Sequence, residues 1–435
     1  MVFLRAQQDS RGQTRPLRNV SFLCFWGGQT VSQIGSQVTS LAVPLTAALV
    51  LGATPAEMGL LTAAANAPFL VVGLFAGVLV DRFQRKPLLI AADSGRAILL
   101  GTIPLAAWSG HLSMVQLYMV SFAGGTLRVV FEVAYQSYLP ALIARQHLVD
   151  ANSKLEISRS AASVIGPGVG GTLVQILTAP IAVLLDALSF VVSVASLLLI
   201  RAVEPTRVRD TVPKSVAREI GEGLRAVFGN MYLRPILFCT GVTNLFSGIW
   251  GADFVLFATR EIGLSPAVLG IAGATAGVGL VLGSLLARHA EHTLGVGPSI
   301  IIASLFGSGA GVLVPLAAWY NALSLPLVLV FEVIFGICLP VYNINQVSLR
   351  QAITPEHLMG RMTATIRFCV WGVVPFGALA GGWLGESVGL TTAMWVGSLG
   401  MTLSTLAVLF SPVARLRRVE EALVGGDLGV VSEAG

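Results

Sequence analysis

Long apolar runs alternate along this chain with short clusters of charge, glycine and proline. A helix needs about 20 mostly apolar residues to cross a bilayer. Twelve runs meet that length, here called spans one to twelve. The first six cover 19–50, 55–80, 86–109, 113–143, 148–177 and 180–201. The last six cover 231–260, 265–288, 297–320, 324–351, 356–385 and 388–412. One long polar break, 202–230, separates the two sets. Within it Val216, Ile220, Leu224 and Val227 recur at helical spacing with charges opposite. That pattern predicts an amphipathic helix over 215–228 along the membrane surface. The expected fold is therefore an all-α membrane protein of twelve transmembrane helices. Its divisions are an N-terminal arm (1–18), a six-helix bundle (19–201), a linker (202–230), a second six-helix bundle (231–412) and a tail (413–435).

Composition and charge sharpen this picture. Only 11% of residues are charged, against about 25% in soluble domains. The mean hydropathy is +0.80. Of the 27 Lys and Arg, only Arg260 falls in a connection on the outer side. Arg96, Arg128, Arg159 and Arg367 fall within spans, and the remainder lie in tails and connections on the opposite side. The positive-inside rule then places both termini in the cytoplasm and the protein in the cell (inner) membrane as a multi-pass chain. Loop placement also explains the net charge of +5, so no nucleic-acid partner is expected. The first apolar run is too long for a signal-peptide core and is expected to be retained. Cys24, Cys239, Cys338 and Cys369 sit singly in apolar runs, as small buried hydrophobes do.

The two sets of spans resemble each other. "LGATPAEMGL" (51–60) matches "IGLSPAVLGI" (262–271) at Gly52/Gly263, Pro55/Pro266, Ala56/Ala267 and Gly59/Gly270. "QSYLPALIARQHL" (136–148) matches "QVSLRQAITPEHL" (346–358), including Gln136/Gln346 and His147/His357. Parallel repeats of six spans suit a transporter whose halves rock about a midplane site.

Two stretches carry a family resemblance. "GVLVDRFQRK" (77–86) resembles the loop signature of the major facilitator superfamily, G-x-L-a-D-R-x-x-R-[RK], with Gln84 in place of a glycine. "GSLLAR" (283–288) is a degraded copy, with Ala287 where the acid would stand. The resemblance implies two six-helix halves and a conformational latch at Gly77, Asp81, Arg82, Arg85 and Lys86. "GPGVGG" in span five resembles the antiporter motif G-P-x-x-G-G at Gly166, Pro167, Gly170 and Gly171, with Ala162 replacing an earlier glycine. That motif is linked to exporters. The surrounding stretch resembles the macrolide-efflux and enterobactin-exporter branch. The motif glycines offer a flat surface for close helix contact, expected against span eight (Gly273/Gly277, Gly279/Gly283). Span two (Gly73, Gly77) and span eleven (Gly377, Gly381, Gly385) are the expected matching pair.

Polar residues at membrane depth are functional candidates, because burying charge there is costly. Arg128 and Glu132 share a face of span four. Glu132 is either a proton-coupling carboxylate or half of a static ion pair with Arg128. Asp186, Asp253 and Glu332 are further proton-coupling candidates, with structural bonding as the alternative. Asp93 and Arg96 are assigned to a structural charge cluster around Asp81. Gln29, Gln33, Ser36, Gln37 and Ser40 form a polar stripe on span one. The stripe either lines a cavity or bonds neighbouring helices. Asn66, Asn244 and Trp250 extend the cavity-lining set.

No ATP-binding run is present, so a gradient must supply energy. The five histidines (His111, His147, His289, His292, His357) form no ligand set, and no metal, cofactor or catalytic residue is expected. The favoured function is proton-coupled export of a hydrophobic or amphipathic small molecule by a monomer, with protons and the lipid bilayer as its other partners. The alternatives are an importer or facilitator of a metabolite or lipid, and a membrane receptor or lipid-modifying enzyme. If Asp81 is the latch, Asp81→Asn lowers transport while membrane expression is kept. Expression blots alongside transport rates check this, and unchanged transport removes the latch.

Overall fold

The computed structural model describes residues 16–73, 83–200 and 216–425. Every regular element among them is helical. Ten helices are long and apolar enough to cross a membrane. Two expected spans fall outside that set for different reasons. Span two is described only as Pro55–Val71, and its expected end enters 74–82, outside the described residues. Span five, Leu148–Ile176, has the length, but Asp150, Lys154, Glu156 and Arg159 polarise its first turns.

Observed bounds track the hydropathy pattern closely. Span four is Met114–Leu142, span six Ala179–Leu199 and span ten Ser324–Ile353. Span three is Arg85–Trp108 and span eight Pro266–Leu294. Span nine begins as Val296–Gly309 and continues through short helical turns to Leu316. Span eleven breaks in two, Glu356–Gly372 and Val374–Val388. Pro375 opens the second piece, where a missing N–H costs least. Span twelve is Leu390–Ser404 with a short extension to Leu409. The linker helix is Val216–Gly229. Its Val227 is fully buried in a cluster with Met362 and Ile366 of span eleven.

The internal repeat is visible in backbone detail. Span one is Val20–Leu45, followed by a π-turn at Thr46–Val50. Span seven is Leu233–Leu256, followed by a π-turn at Phe257–Glu261. Each π-turn leads to a glycine with positive φ, 64° at Gly52 and 66° at Gly263. Only glycine adopts that geometry without strain. Each then enters a proline-led helix behind a hydroxyl: Thr54 caps span two in a capping box with Glu57, and the Ser265 hydroxyl accepts from the Val268 N–H.

The chain divides into two compact units, 1–210 with 264–274 and 211–263 with 275–435. The first turns of span eight thus belong with the first unit. In that unit spans one, three, four, five and six surround a core that includes Phe22, Phe25, Leu89, Phe131, Tyr138 and Leu197. In the second, spans seven, nine, ten, eleven and twelve surround Tyr232, Leu233, Ile236, Ile300, Leu349 and Val408.

Span six shows how these helices are built for lipid. Leu185, Leu188, Val191, Val192, Leu198 and Leu199 are exposed, while Asp186, Ser189 and Ser193 are buried. Apolar side chains face the lipid, and polar ones find partners inside the bundle. Small residues let backbones approach closely. A Cβ on Gly248 of span seven would strike Val374, Gly377 and Ala378 of span eleven, and one on Gly381 would strike Ile249 of span seven. Gly377 meets Leu245. Gly377 and Gly381 of span eleven therefore pack on span seven within the second unit. Gly73 has nothing near its absent side chain, and Gly77 lies outside the described residues.

Candidate functional site

In the first unit a connected set of polar side chains crosses the bundle. Asp93 of span three is fully buried. Its Oδ1 accepts from Arg96 one turn later. Its Oδ2 accepts from the Ser193 hydroxyl of span six at 2.6 Å. Ser193 in turn accepts from the Gln29 amide of span one at 3.1 Å. The Arg96 guanidinium lies 4.5 Å from the Phe131 ring and 4.3 Å from the Phe190 ring. Such cation–π contacts contribute about 2 kcal/mol each when desolvated. Asp186 is also buried, with Ser189 donating to its Oδ1 at 2.9 Å. Low dielectric strengthens each of these contacts and makes an unpaired member costly.

Asp93 and Arg96 belong to the bundle interior, tied to spans one and six. Gln29 is buried and held by Ser193, so it bonds helices rather than lining open space. The other stripe members divide. Gln37 presses on Gly166 of span five, Gln33 and Ser36 are half-buried, and Ser40 is exposed with its hydroxyl on the Gln37 carbonyl. Trp26 and Thr30 both bond Ser158 of span five. Asn66 donates to the Thr62 carbonyl of its own helix. Asn244 donates to the Val370 carbonyl of span eleven at 2.8 Å.

Glu132 and Arg128 do pair, at 2.9 Å, with the arginine 63% and the glutamate 34% exposed. The pair is more accessible than the Asp93–Arg96 pair. Of the loop signature, Gly77, Asp81 and Arg82 lie outside the described residues. Lys86 donates to the Ile200 carbonyl at 2.6 Å. That bond fastens the start of span three to the end of span six.

The second unit is arranged differently. Trp250 of span seven stacks on Phe254 at 4.3 Å and lies 5.3 Å from Phe331 of span ten, which stacks on Phe335. The indole N–H of Trp250 is buried with no hydrogen-bond partner. One turn on, Asp253 is fully buried, and neither of its oxygens has a hydrogen-bond partner. Glu332, next to Phe331, is half-buried. Among the described residues neither carboxylate has a cationic partner. Gly397 of span twelve gives Trp250 room, with a Cβ there only 3.1 Å from that of the tryptophan.

The span-five glycines take two different neighbours. Gly166 and Gly170 face Gln37 and Val38 of span one. Gly171 faces span eight, where a Cβ would lie 2.7 Å from the Gly270 Cα. Gly273 would meet the Pro167 ring at 2.8 Å. Gly279 and Gly283 turn instead to Gly336 and Ile337 of span ten. One edge of the run therefore touches span eight, through Pro167, Gly168 and Gly171.

Comparison with known proteins agrees with this architecture. The chain matches the family model of the Major Facilitator Superfamily over residues 25–369. It is 26% identical to the multidrug efflux pump Tap of Mycolicibacterium fortuitum, covering 84% of this chain and 89% of that protein. It is 22% identical to macrolide efflux protein A of Streptococcus pyogenes, covering 92% of this chain and 98% of that one. In fold it resembles the crystal structure of a bacterial homologue of the iron transporter ferroportin in its inward-facing state. The TM-score is 0.72, with 15% identity over 90% of this chain and 98% of that one.

Removing one side of a buried ion pair costs about 3–5 kcal/mol, whereas an exposed pair contributes about 1 kcal/mol or less. Arg96→Gln should therefore lower the unfolding midpoint of purified protein sharply, and Glu132→Gln should barely move it. Thermal unfolding in detergent measures both. Equal shifts would contradict the difference in burial.

Proposed function

The chain belongs to the major facilitator superfamily, and from that premise we propose that it exports a hydrophobic or amphipathic small molecule, of antibiotic, drug or siderophore type, in exchange for protons. It works as a monomer in the cell (inner) membrane with both termini cytoplasmic. The bundles 19–201 and 231–412 alternate access about the linker 202–230. The distribution of Lys and Arg supports this orientation.

The observation that carries the export reading is the antiporter-type motif of span five, Gly166, Pro167, Gly170 and Gly171. Gly171 lies against the Gly270 backbone, and the rigid Pro167 ring rests on Gly273. Such a surface can part and re-form without repacking side chains. The multidrug and macrolide exporters among its relatives support the same direction.

Proton coupling is supported by the carboxylates of the second unit. A carboxylate at membrane depth with no cation beside it needs either a proton or a cationic ligand. Asp253 is in that position, and Glu332 lies beside the aromatic group of Trp250, Phe254, Phe331 and Phe335. In the cycle proposed, a carboxylate releases its proton towards the cytoplasm as substrate loads. It takes up another from outside as substrate leaves.

Everted membrane vesicles energised to an acid interior provide the test. They should accumulate a labelled macrolide or lipophilic drug, and an uncoupler should abolish the accumulation. Asp253→Asn should reduce it severalfold without loss of protein from the membrane. Accumulation that ignores the proton gradient would rule out antiport.

A further inference from the structure

The buried charges of the first unit do not balance. Asp93 and Asp186 are both buried, and the one guanidinium acting on both is Arg96. Among the described residues, the charged groups at membrane depth in spans four and five are matched with each other. Span four contributes Arg128 and Glu132, which pair with each other. Span five contributes Arg159 and Glu156, which also pair, at 3.8 Å. Span one carries no charge between Val20 and Val50, and span six none but Asp186. Arg85 and Lys86 stand at the far end of span three, where Lys86 holds the Ile200 carbonyl. Among the described residues, two carboxylates and one guanidinium leave one uncompensated negative charge in a medium that penalises it.

Hydrogen bonding separates the two acids. Both oxygens of Asp93 accept strong donors, Arg96 on one and Ser193 on the other. That arrangement suits an ionised carboxylate. Asp186 receives Ser189 on Oδ1, and Arg96 acts on it through space without a direct ion pair. Asp186 also sits at the seam between spans one and six. A Cβ on Gly35 of span one would strike Asp186 Oδ1 and Ser189 Oγ. The Thr39 hydroxyl, one turn along span one, stands beside Asp186. Its oxygen is buried, and Asp186 is the polar group it faces.

We propose that Asp93, Arg96 and Asp186 form a one-proton site, in which Arg96 neutralises Asp93 and a single exchangeable proton on Asp186 neutralises the remainder. The proton binds and leaves without other chemistry. Its departure puts an ionised carboxylate against the backbone of span one at Gly35, so proton occupancy sets how tightly spans one and six close. This deepens the exporter reading, on which its role in transport rests, by giving the first bundle a proton site separate from Asp253 and Glu332. Ser193 and Gln29 are positioning residues that hold Asp93 in its ionised state.

Infrared difference spectroscopy of the purified full-length protein tests the site directly, because a protonated carboxyl has its own carbonyl band. A pH jump across the wild type should show one carboxyl that is missing in Asp186→Asn. The same band should be missing in Asp93→Asn, because Arg96 then neutralises Asp186 alone. Glu132→Gln should keep it. Ser189→Ala should keep the band but shift its frequency, which a purely structural role would not do. This variant also serves if Asp93→Asn fails to fold. Undiminished wild-type intensity in Asp186→Asn overturns the proposal. Proton-driven export together with that result would leave the exporter reading intact. A band lost in Asp186→Asn, in a protein that exports no compound, would leave the site intact and remove that reading.

Discussion

Water is absent from the interior of a bilayer, so each polar group placed there must find its partner within the protein. Most of this molecule follows from that constraint. Span six presents leucine and valine outward and a line of Asp186, Ser189, Ser193 and Ser196 inward. Span one answers with glycines where those side chains press. A Cβ on Gly28 would meet Ser196, and one on Gly35 would meet Ser189 and Asp186. Close backbone approach and polar satisfaction are thus one design feature. The glycines admit the hydroxyls, and the hydroxyls satisfy the acids. Arg96, held between Phe131 and Phe190, brings a cation into the same interior without exposing it to lipid.

The two units meet the constraint in different ways. In the first, Asp93 and Glu132 each bond an arginine, and Asp186 lies within the field of Arg96. In the second, Asp253 and Glu332 lie near aromatic rings, with no cationic partner among the described residues. A duplicated scaffold has been kept in its backbone detail, down to matched π-turns and the glycines that follow them. Its charge chemistry has diverged. That divergence suits a transporter in which one bundle shares an arginine among its acids and the other leaves its carboxylates among aromatic rings.

The fold was readable from the chain because membrane spans are set by length and hydropathy, which are local properties. The expected span 180–201 and the observed helix Ala179–Leu199 differ by a residue or two at each end. Neighbour relations were less readable. Helical periodicity assigns a residue to a face but does not say which helix that face meets. Gln29 was placed on the correct stripe, yet its partner Ser193 lies 164 residues away. Gly377 and Gly381 signal close packing, but not that span seven is a partner. The central cluster did leave a signal. Asp93 and Arg96 are three apart on span three, and Asp186, Ser189, Ser193 and Ser196 follow helical spacing on an otherwise apolar span six.

Exchange of substrate for protons is the central claim, and a reversed gradient tests it most directly. Purified protein would be reconstituted into proteoliposomes holding a macrolide and a pH-sensitive dye, then diluted into drug-free buffer. Antiport predicts that drug leaving down its own gradient draws protons inward and acidifies the interior. Drug release through the protein with no change in internal pH would contradict it.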